Sequence, residues 1–319
     1  MAIRIVVRGE DACPVEFAWL EITPSCTLHC THCYAGSMPG LGDGRLTCED
    51  WKQIITALRS RGTTFVQFIG GEPTIHPHFC ELVTFAAAEG LKIEVYTNLL
   101  GISSRMWDIF IRHNVRIATS FYSTLPAVHD AITRVAGSQV KTLANIKKAV
   151  EMGLIVRVGV ICVNDQQNIA DVKSLLVSLG VEEARIGVDR TRGVGRGENL
   201  IQEEPIAALC GKCVQKRCAV TANGDVFPCI FARSFLLGNV LQQDIGDIVT
   251  GVQMQTVVAE LETAFQQRQI VQESESACEP LDCNPECDPL AYPPCGPDCC
   301  PETVASCEPT EEPSDDDDE

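Results

Sequence analysis

The chain has no apolar run approaching the roughly 20 residues that a membrane-crossing helix needs. Its start, MAIRIVVRGEDACP, lacks the long apolar segment of a secretory signal peptide. A cytoplasmic protein with no membrane segment is expected. Basic residues are scarce: 25 Lys and Arg stand against 43 Asp and Glu, a net charge of −18. A nucleic-acid surface needs clustered cations, and no basic patch is present to supply one. The deficit is uneven. Residues 272–319 hold 16 acids and no base, which leaves 27 acids against 25 bases in residues 1–271. The acidity belongs to the tail, and the body is close to neutral. A nucleotide-triphosphate loop is also missing, because no Lys follows the Gly-rich stretch from Arg192 to Gly197 in the required pattern.

Cysteine, in contrast, is abundant, with 18 residues. The cytosol keeps thiols reduced, so this number points to metal binding rather than disulfides. Cys26, Cys30 and Cys33 are spaced C-x3-C-x2-C and followed at once by Tyr34. Iron–sulfur cubes usually take four thiolates, one per iron. Three thiols in one tight loop hold three irons and leave the fourth open to chemistry. The competing reading is a zinc knuckle completed by His29 or His32, although structural zinc sites favour paired C-x2-C or Cys/His sets.

These residues resemble the signature of the radical S-adenosylmethionine (SAM) superfamily. The resemblance implies that SAM chelates the open iron of a [4Fe–4S] cluster through its amino and carboxylate groups. One electron from the cluster then cleaves SAM to methionine and a 5′-deoxyadenosyl radical, which abstracts hydrogen from the substrate. Gly70, Gly71, Glu72 and Pro73 resemble the family's GGEP motif, which binds the amino group of SAM. By the same resemblance Asn98 and Ser120 contact its ribose and carboxylate, and Arg134 lies near SAM or substrate. A strand-end Ser and a loop Arg also need no ligand to explain them.

Between residues 17 and 193 short β-rich runs alternate with amphipathic segments. Strands are expected at residues 17–23, 64–70, 92–98, 116–123, 155–163 and 184–189. Helices are expected at 47–61, 78–89, 104–113, 138–152 and 168–179, the first opened by a capping box of Thr47 with Asp50. Near-continuous apolar strands linked by helices imply a parallel α/β sheet. A closed barrel takes about 250 residues, so a stretch of roughly 180 suits a partial (β/α)6 TIM-like barrel. The cysteine loop, Gly70–Pro73, Asn98 and Ser120 then fall at strand C-terminal ends, where such folds carry function.

Past residue 190 the texture changes. The loop with Arg192 and Arg196 reads either as a cradle for an anionic group or as a flexible exit from the barrel. Cys210, Cys213 and Cys218 follow, and an Asn223-Gly224 hairpin turn would bring Cys229 close to them. The spacing from Cys213 through Gly224 to Cys229 resembles the opening of SPASM and twitch domains, which bind auxiliary iron–sulfur clusters; a zinc hairpin also fits. In the tail, Cys283, Cys287, Cys295 and Cys299 keep two C-x3-C spacings but not the rest of that family's pattern. They are read as further ligands, against a disordered, metal-scavenging tail whose last residues, 308–319, are almost all acidic or turn-forming. The expected division is a barrel in residues 1–190, a small Cys-rich auxiliary domain in 191–271 and a Cys/Pro-rich acidic tail in 272–319. Cys48, Cys80 and Cys162 read as small buried apolar residues, and Cys13 is assigned nothing.

Three functions compete. One is maturation of a ribosomally made peptide by cross-linking, thioether formation or epimerisation. Another is tailoring of a small metabolite such as a sugar, aminoglycoside or nucleoside. The last, a metal-binding protein without SAM chemistry, leaves Gly70–Pro73 unexplained. A radical SAM enzyme also implies a one-electron reductant such as flavodoxin or ferredoxin. The Cys-rich auxiliary region favours the peptide reading. The N-terminus argues the other way, since only 25 residues precede Cys26, too few for the winged-helix module that many peptide maturases use. A separate leader-peptide recognition protein could supply that module.

Overall fold

The strands expected from the apolar runs all form, each trimmed by a residue or more at one or both ends. A computed structural model describes residues 15–211 and 216–275. Within it lie β1 (Phe17–Glu21), α1 (Cys48–Ser60), β2 (Phe65–Ile69), α2 (Phe79–Ala88), β3 (Lys92–Tyr96), α3 (Ser104–Arg112), β4 (Arg116–Ser120), α4 (Pro126–Thr133), α5 (Ser138–Glu151), β5 (Val156–Cys162), α6 (Ile169–Ser178) and β6 (Ile186–Arg190). Strands β1 to β6 pair in chain order, all parallel. Every residue of β2 is buried, as expected of a parallel strand covered on both faces.

The elements are held by local chemistry that the sequence carries. Thr47 and Asp50 form the capping box of α1: Asp50 N–H donates to Thr47 Oγ1 at 3.2 Å, and Thr47 N–H to Asp50 Oδ2 at 2.8 Å. Helix α4 is an addition to the expected set. Pro126 starts it, where a missing N–H costs nothing. Asp130 of α4 then caps α5, accepting from Gly137 N at 2.6 Å, Ser138 Oγ at 2.8 Å and Gln139 N at 2.9 Å.

Beyond the barrel come β7 (Arg217–Thr221), β8 (Asp225–Phe227), β9 (Gly238–Asn239), α7 (Ile245–Thr250) and α8 (Val252–Glu275). The hairpin forms around Asn223 and Gly224: Gly224 N–H donates to Thr221 O at 2.9 Å, with Gly224 at φ +90°. Its strand β7 pairs in parallel with β1, Ala18 opposite Cys218, so β7, β8 and β9 extend the barrel sheet from its first strand. Helix α8 packs through Met254, Val257, Leu261 and Phe265, a one-sided helical stripe, and its Arg268 donates to Leu209 O at 2.8 Å. Among the described residues no helix is long and apolar enough to cross a membrane.

Candidate active site

The loop after β1 is suspended by its backbone. Cys26 N–H donates to Met38 O at 3.1 Å, and His29 and Thr31 donate to the last carbonyls of α4, Thr133 O at 3.1 Å and Ile132 O at 2.9 Å. The unexpected helix is thus the shelf on which the cysteines rest. After β2, Gly70 (φ +147°) and Gly71 press against this same loop; a Cβ on Gly70 would collide with Thr23 O, and one on Gly71 with Ser25 O. Only glycine allows the two strand-end loops to approach so closely.

Cys26, Cys30 and Cys33 line one cavity at the strand C-terminal ends, with Tyr34, Gly70, Gly71, Asn98 and Ser120 in the same wall. The cavity encloses about 1350 Å³, its open mouth included. Burial pushes the Cys26 thiol up to about 12, with Glu72 and Cys33 adding to the effect, and pushes Cys30 higher still. Thiols so placed stay protonated until a metal takes the proton's place.

Which metal fits is a matter of spacing. A single zinc ion with bonds of 2.0–2.3 Å draws its ligand atoms to within about 3.8 Å of one another. No three ligand atoms from Cys26, Cys30, Cys33, His29 and His32 meet even within 4.8 Å, a condition that Cys48, His78 and Glu81 alone satisfy among the described residues. Three thiolates on three separate irons need no such convergence on one point.

Asn98 Nδ2 donates to Thr27 Oγ1 at 2.8 Å and lies 3.8 Å from Cys26 Sγ. Ser120 Oγ pairs with Tyr96 OH at 2.9 Å. Glu72 is turned inward. Its carboxylate accepts from Thr74 N at 3.1 Å, Thr74 Oγ1 at 2.6 Å, Thr97 Oγ1 at 2.7 Å and Asn98 N at 2.7 Å, tying the β2 exit to the β3 exit. Glu72, Pro73 and Arg134 lie behind or beside the cavity wall; Arg134 ends α4 in the left-handed region at φ +57°. Tyr34 bridges the two halves of the chain. Its hydroxyl donates to Glu21 Oε1 at 3.4 Å, its ring meets Phe231 edge-on at 5.3 Å, and Arg233 both pairs with Glu21 and lies over that ring at 5.6 Å.

Cys218 and Cys229 are buried beside the hairpin and Cys210 is half-buried, while Cys213 and the tail residues Cys283, Cys287, Cys295 and Cys299 lie outside the described residues. Cys48, Cys80 and Cys162 pack against the core yet stay partly exposed. The Cys48 thiol hydrogen-bonds Glu81, whose carboxylate also holds Lys52 Nζ at 2.6 Å and His78 Nδ1 at 3.2 Å. The Gly-rich loop cradles no open anion site. Arg192 pairs with Asp189 at 2.9 Å, and Arg196 grips the cysteine loop itself.

Cavity residues that the motifs did not announce are Tyr96, Tyr122, His129, Arg157 and Asp189. For all of these but His129, the signal is a polar or ring side chain at or near the end of an otherwise apolar run. His129 is buried and accepts from Tyr122 N at 3.3 Å through Nδ1; burial lowers its pKa to about 4, against a smaller opposing pull from Asp130. An imidazole depressed below its ordinary 6.5 stays neutral in the folded chain while the unfolded chain takes a proton. Stability is therefore whole above pH 6.5 and falls as pH drops towards 4. A loss of about 2 kcal/mol between pH 7 and pH 5 is expected from this group. Urea midpoints at the two pH values check it: His129→Gln should shrink the difference by about that amount, and an unchanged difference would refute the assignment.

Residues 20–179 match the family described as the radical SAM superfamily, and residues 210–284 match SPASM, described as an iron–sulfur cluster-binding domain. The chain is 31% identical over 279 residues to the mycofactocin maturase MftC of Mycobacterium tuberculosis, covering 73% of this chain and 69% of the relative. It is 24% identical over 280 residues to the antilisterial bacteriocin subtilosin biosynthesis protein AlbA of Bacillus subtilis, covering 76% of this chain and 62% of that one. Its fold resembles that of Streptococcus suis SuiB bound to the precursor peptide SuiA, with a TM-score of 0.64, 14% identity, and coverage of 76% of this chain and 66% of that chain. The chain spans about two thirds of the length of each.

Proposed function

This chain belongs to the radical SAM superfamily and carries a SPASM iron–sulfur domain, and from that premise we propose that it matures a ribosomally made peptide. One observation carries the peptide reading. The likeness to a maturase covers 73% of the chain, more than the barrel alone supplies, so it reaches into the auxiliary region. The bacteriocin biosynthesis relative, similar over as much of the chain, supports the same class of substrate.

When bound, the cluster and SAM supply one-electron cleavage of SAM and hydrogen-atom abstraction from carbon. The chain's own residues do the rest. Cys26, Cys30 and Cys33 hold three irons through thiolates. Gly70 and Gly71 let backbone approach the amino acid end of SAM, and Asn98 and Ser120 offer side-chain partners to its polar groups. Ile69, Val188, Ile230 and Phe231 give the cavity apolar walls that would shield hydrogen-atom chemistry from water. The cysteines of the SPASM region, Cys210, Cys213 and Cys229 first among them, bind auxiliary iron–sulfur. A flavodoxin or ferredoxin supplies the electron.

The test is direct. Anaerobically reconstituted enzyme, dithionite and SAM are incubated with the short peptides encoded beside its gene. A cross-linked or thioether product should be two hydrogens lighter, and an epimerised one should keep its mass but take up deuterium from heavy water, each with 5′-deoxyadenosine. Consumption of a sugar or nucleoside with every peptide untouched would overturn the peptide reading.

A further inference from the structure

We propose that Arg196 is a positioning residue of the iron–sulfur site: its guanidinium stakes the three-cysteine loop and holds an unneutralised positive charge beside it, raising the reduction potential of the cluster that the loop carries. This rests on Cys26, Cys30 and Cys33 being the cluster ligands.

Arg196 reaches the loop from 166 residues away in the chain. Its Nε donates to Cys30 O at 2.8 Å, its Nη2 to Ser37 O at 2.7 Å, and its backbone N–H to Cys33 O at 2.9 Å. Two glycines permit the approach. Gly195, at φ +61°, packs so close to Tyr34 O that a Cβ would collide with it, and Gly197 likewise faces Arg192 O. A planar fork with fixed donors suits two carbonyls of one loop in a way that a lysine ammonium does not.

The charge is the second half of the case. Arg157 pairs with Glu94, Arg190 with Glu203, Arg192 with Asp189 and Arg233 with Glu21. Arg196 has no carboxylate partner among the described residues; it meets only carbonyl oxygens, and its Nη1 is buried without a hydrogen-bond partner. A buried donor left unmade on a charged group is costly, and such groups concentrate where function needs them. An uncompensated cation next to the loop favours adding an electron there, and hydrogen bonding and charge are established levers on cluster potential. The step concerned is one-electron reduction of [4Fe–4S]2+ to [4Fe–4S]+, with dithionite as donor in the experiment.

The full-length, reconstituted enzyme is titrated with dithionite and followed by EPR, and the signal that SAM alters singles out this cluster. Arg196→Gln should lower the reduced-to-oxidised ratio at fixed ambient potential about tenfold, equivalent to 59 mV for one electron. Arg196→Lys, which keeps the charge and loses the fork, should hold the potential near that of the parent while retaining less iron. If Arg196→Gln cannot keep its cluster, Arg196→Met with Arg196→Lys repeats the comparison, and a retained potential in Lys against a lowered one in Met supports the charge. Equal potentials in parent, Gln or Met, and Lys would overturn the proposal. Absence of any SAM-altered signal in the parent would instead mean that the ligand assignment beneath it has failed.

Discussion

Replacing Cys26, Cys30 and Cys33 together with alanine should remove about four irons per chain and abolish 5′-deoxyadenosine formation. The prediction has a structural basis beyond the spacing of the motif. The three thiols share one cavity wall, and burial holds the Cys26 and Cys30 thiols protonated until a metal takes the proton's place. The loss should be chemical rather than conformational. The loop is carried by backbone donors to Met38, Ile132 and Thr133 and by Arg196, none of which depends on sulfur. The circular dichroism of the triple variant should therefore match that of the parent. Iron left in the variant, with a cubane-like visible spectrum, would belong to the auxiliary region. SAM cleavage at the parent rate in the triple variant would sink the assignment.

Glu94→Ala should lower stability by about 3–5 kcal/mol. Glu94 on β3, Arg157 on β5 and Gln67 on β2 are 4%, 5% and 3% exposed and meet inside the barrel. Arg157 Nη2 donates to Glu94 Oε1 at 2.6 Å and Nε to Oε2 at 3.3 Å, while the Gln67 amide donates to the same carboxylate. Cutting the carboxylate away removes the ion-pair partner of a buried guanidinium, which also lies over the Tyr96 ring at 5.5 Å. At about 2–4 °C per kcal/mol for a chain of this size class, thermal unfolding should move down by about 10 °C. The double variant Glu94→Leu with Arg157→Met should recover most of the loss, because an apolar pair replaces an ion pair at little net cost. Thermal scans of the three proteins decide it. A single variant within 1 kcal/mol of the parent, or a double variant worse than the single, would refute the account.

Several features were legible because they depend on neighbours in the chain. The C-x3-C-x2-C loop, the two glycines after β2, the Thr47–Asp50 capping box and the Asn223-Gly224 turn are short-range patterns, and each sits where the sequence put it. The parallel strands were visible as apolar runs, since a strand covered on both faces must be apolar along its length. Helix α4 was not visible. Its inward residues include His129 and Thr133, both buried and polar, so no apolar period announces it. Glu72 shows the same limit from the other side: the motif marks the residue, but only the fold shows its carboxylate spent on Thr74, Thr97 and Asn98.

The sequence by itself determined which atoms can bind iron and which unit the chain repeats, because thiol spacing and strand–helix alternation are local. Tertiary structure alone decided what surrounds those atoms. It joined β7 to β1, brought Arg196 to Cys30 and Arg233 to Glu21, and buried Glu94 against Arg157. These contacts span from 63 to 212 residues of chain. Over such distances no periodicity or motif records a partner; the pairing of the strands and the desolvation of each charge select it.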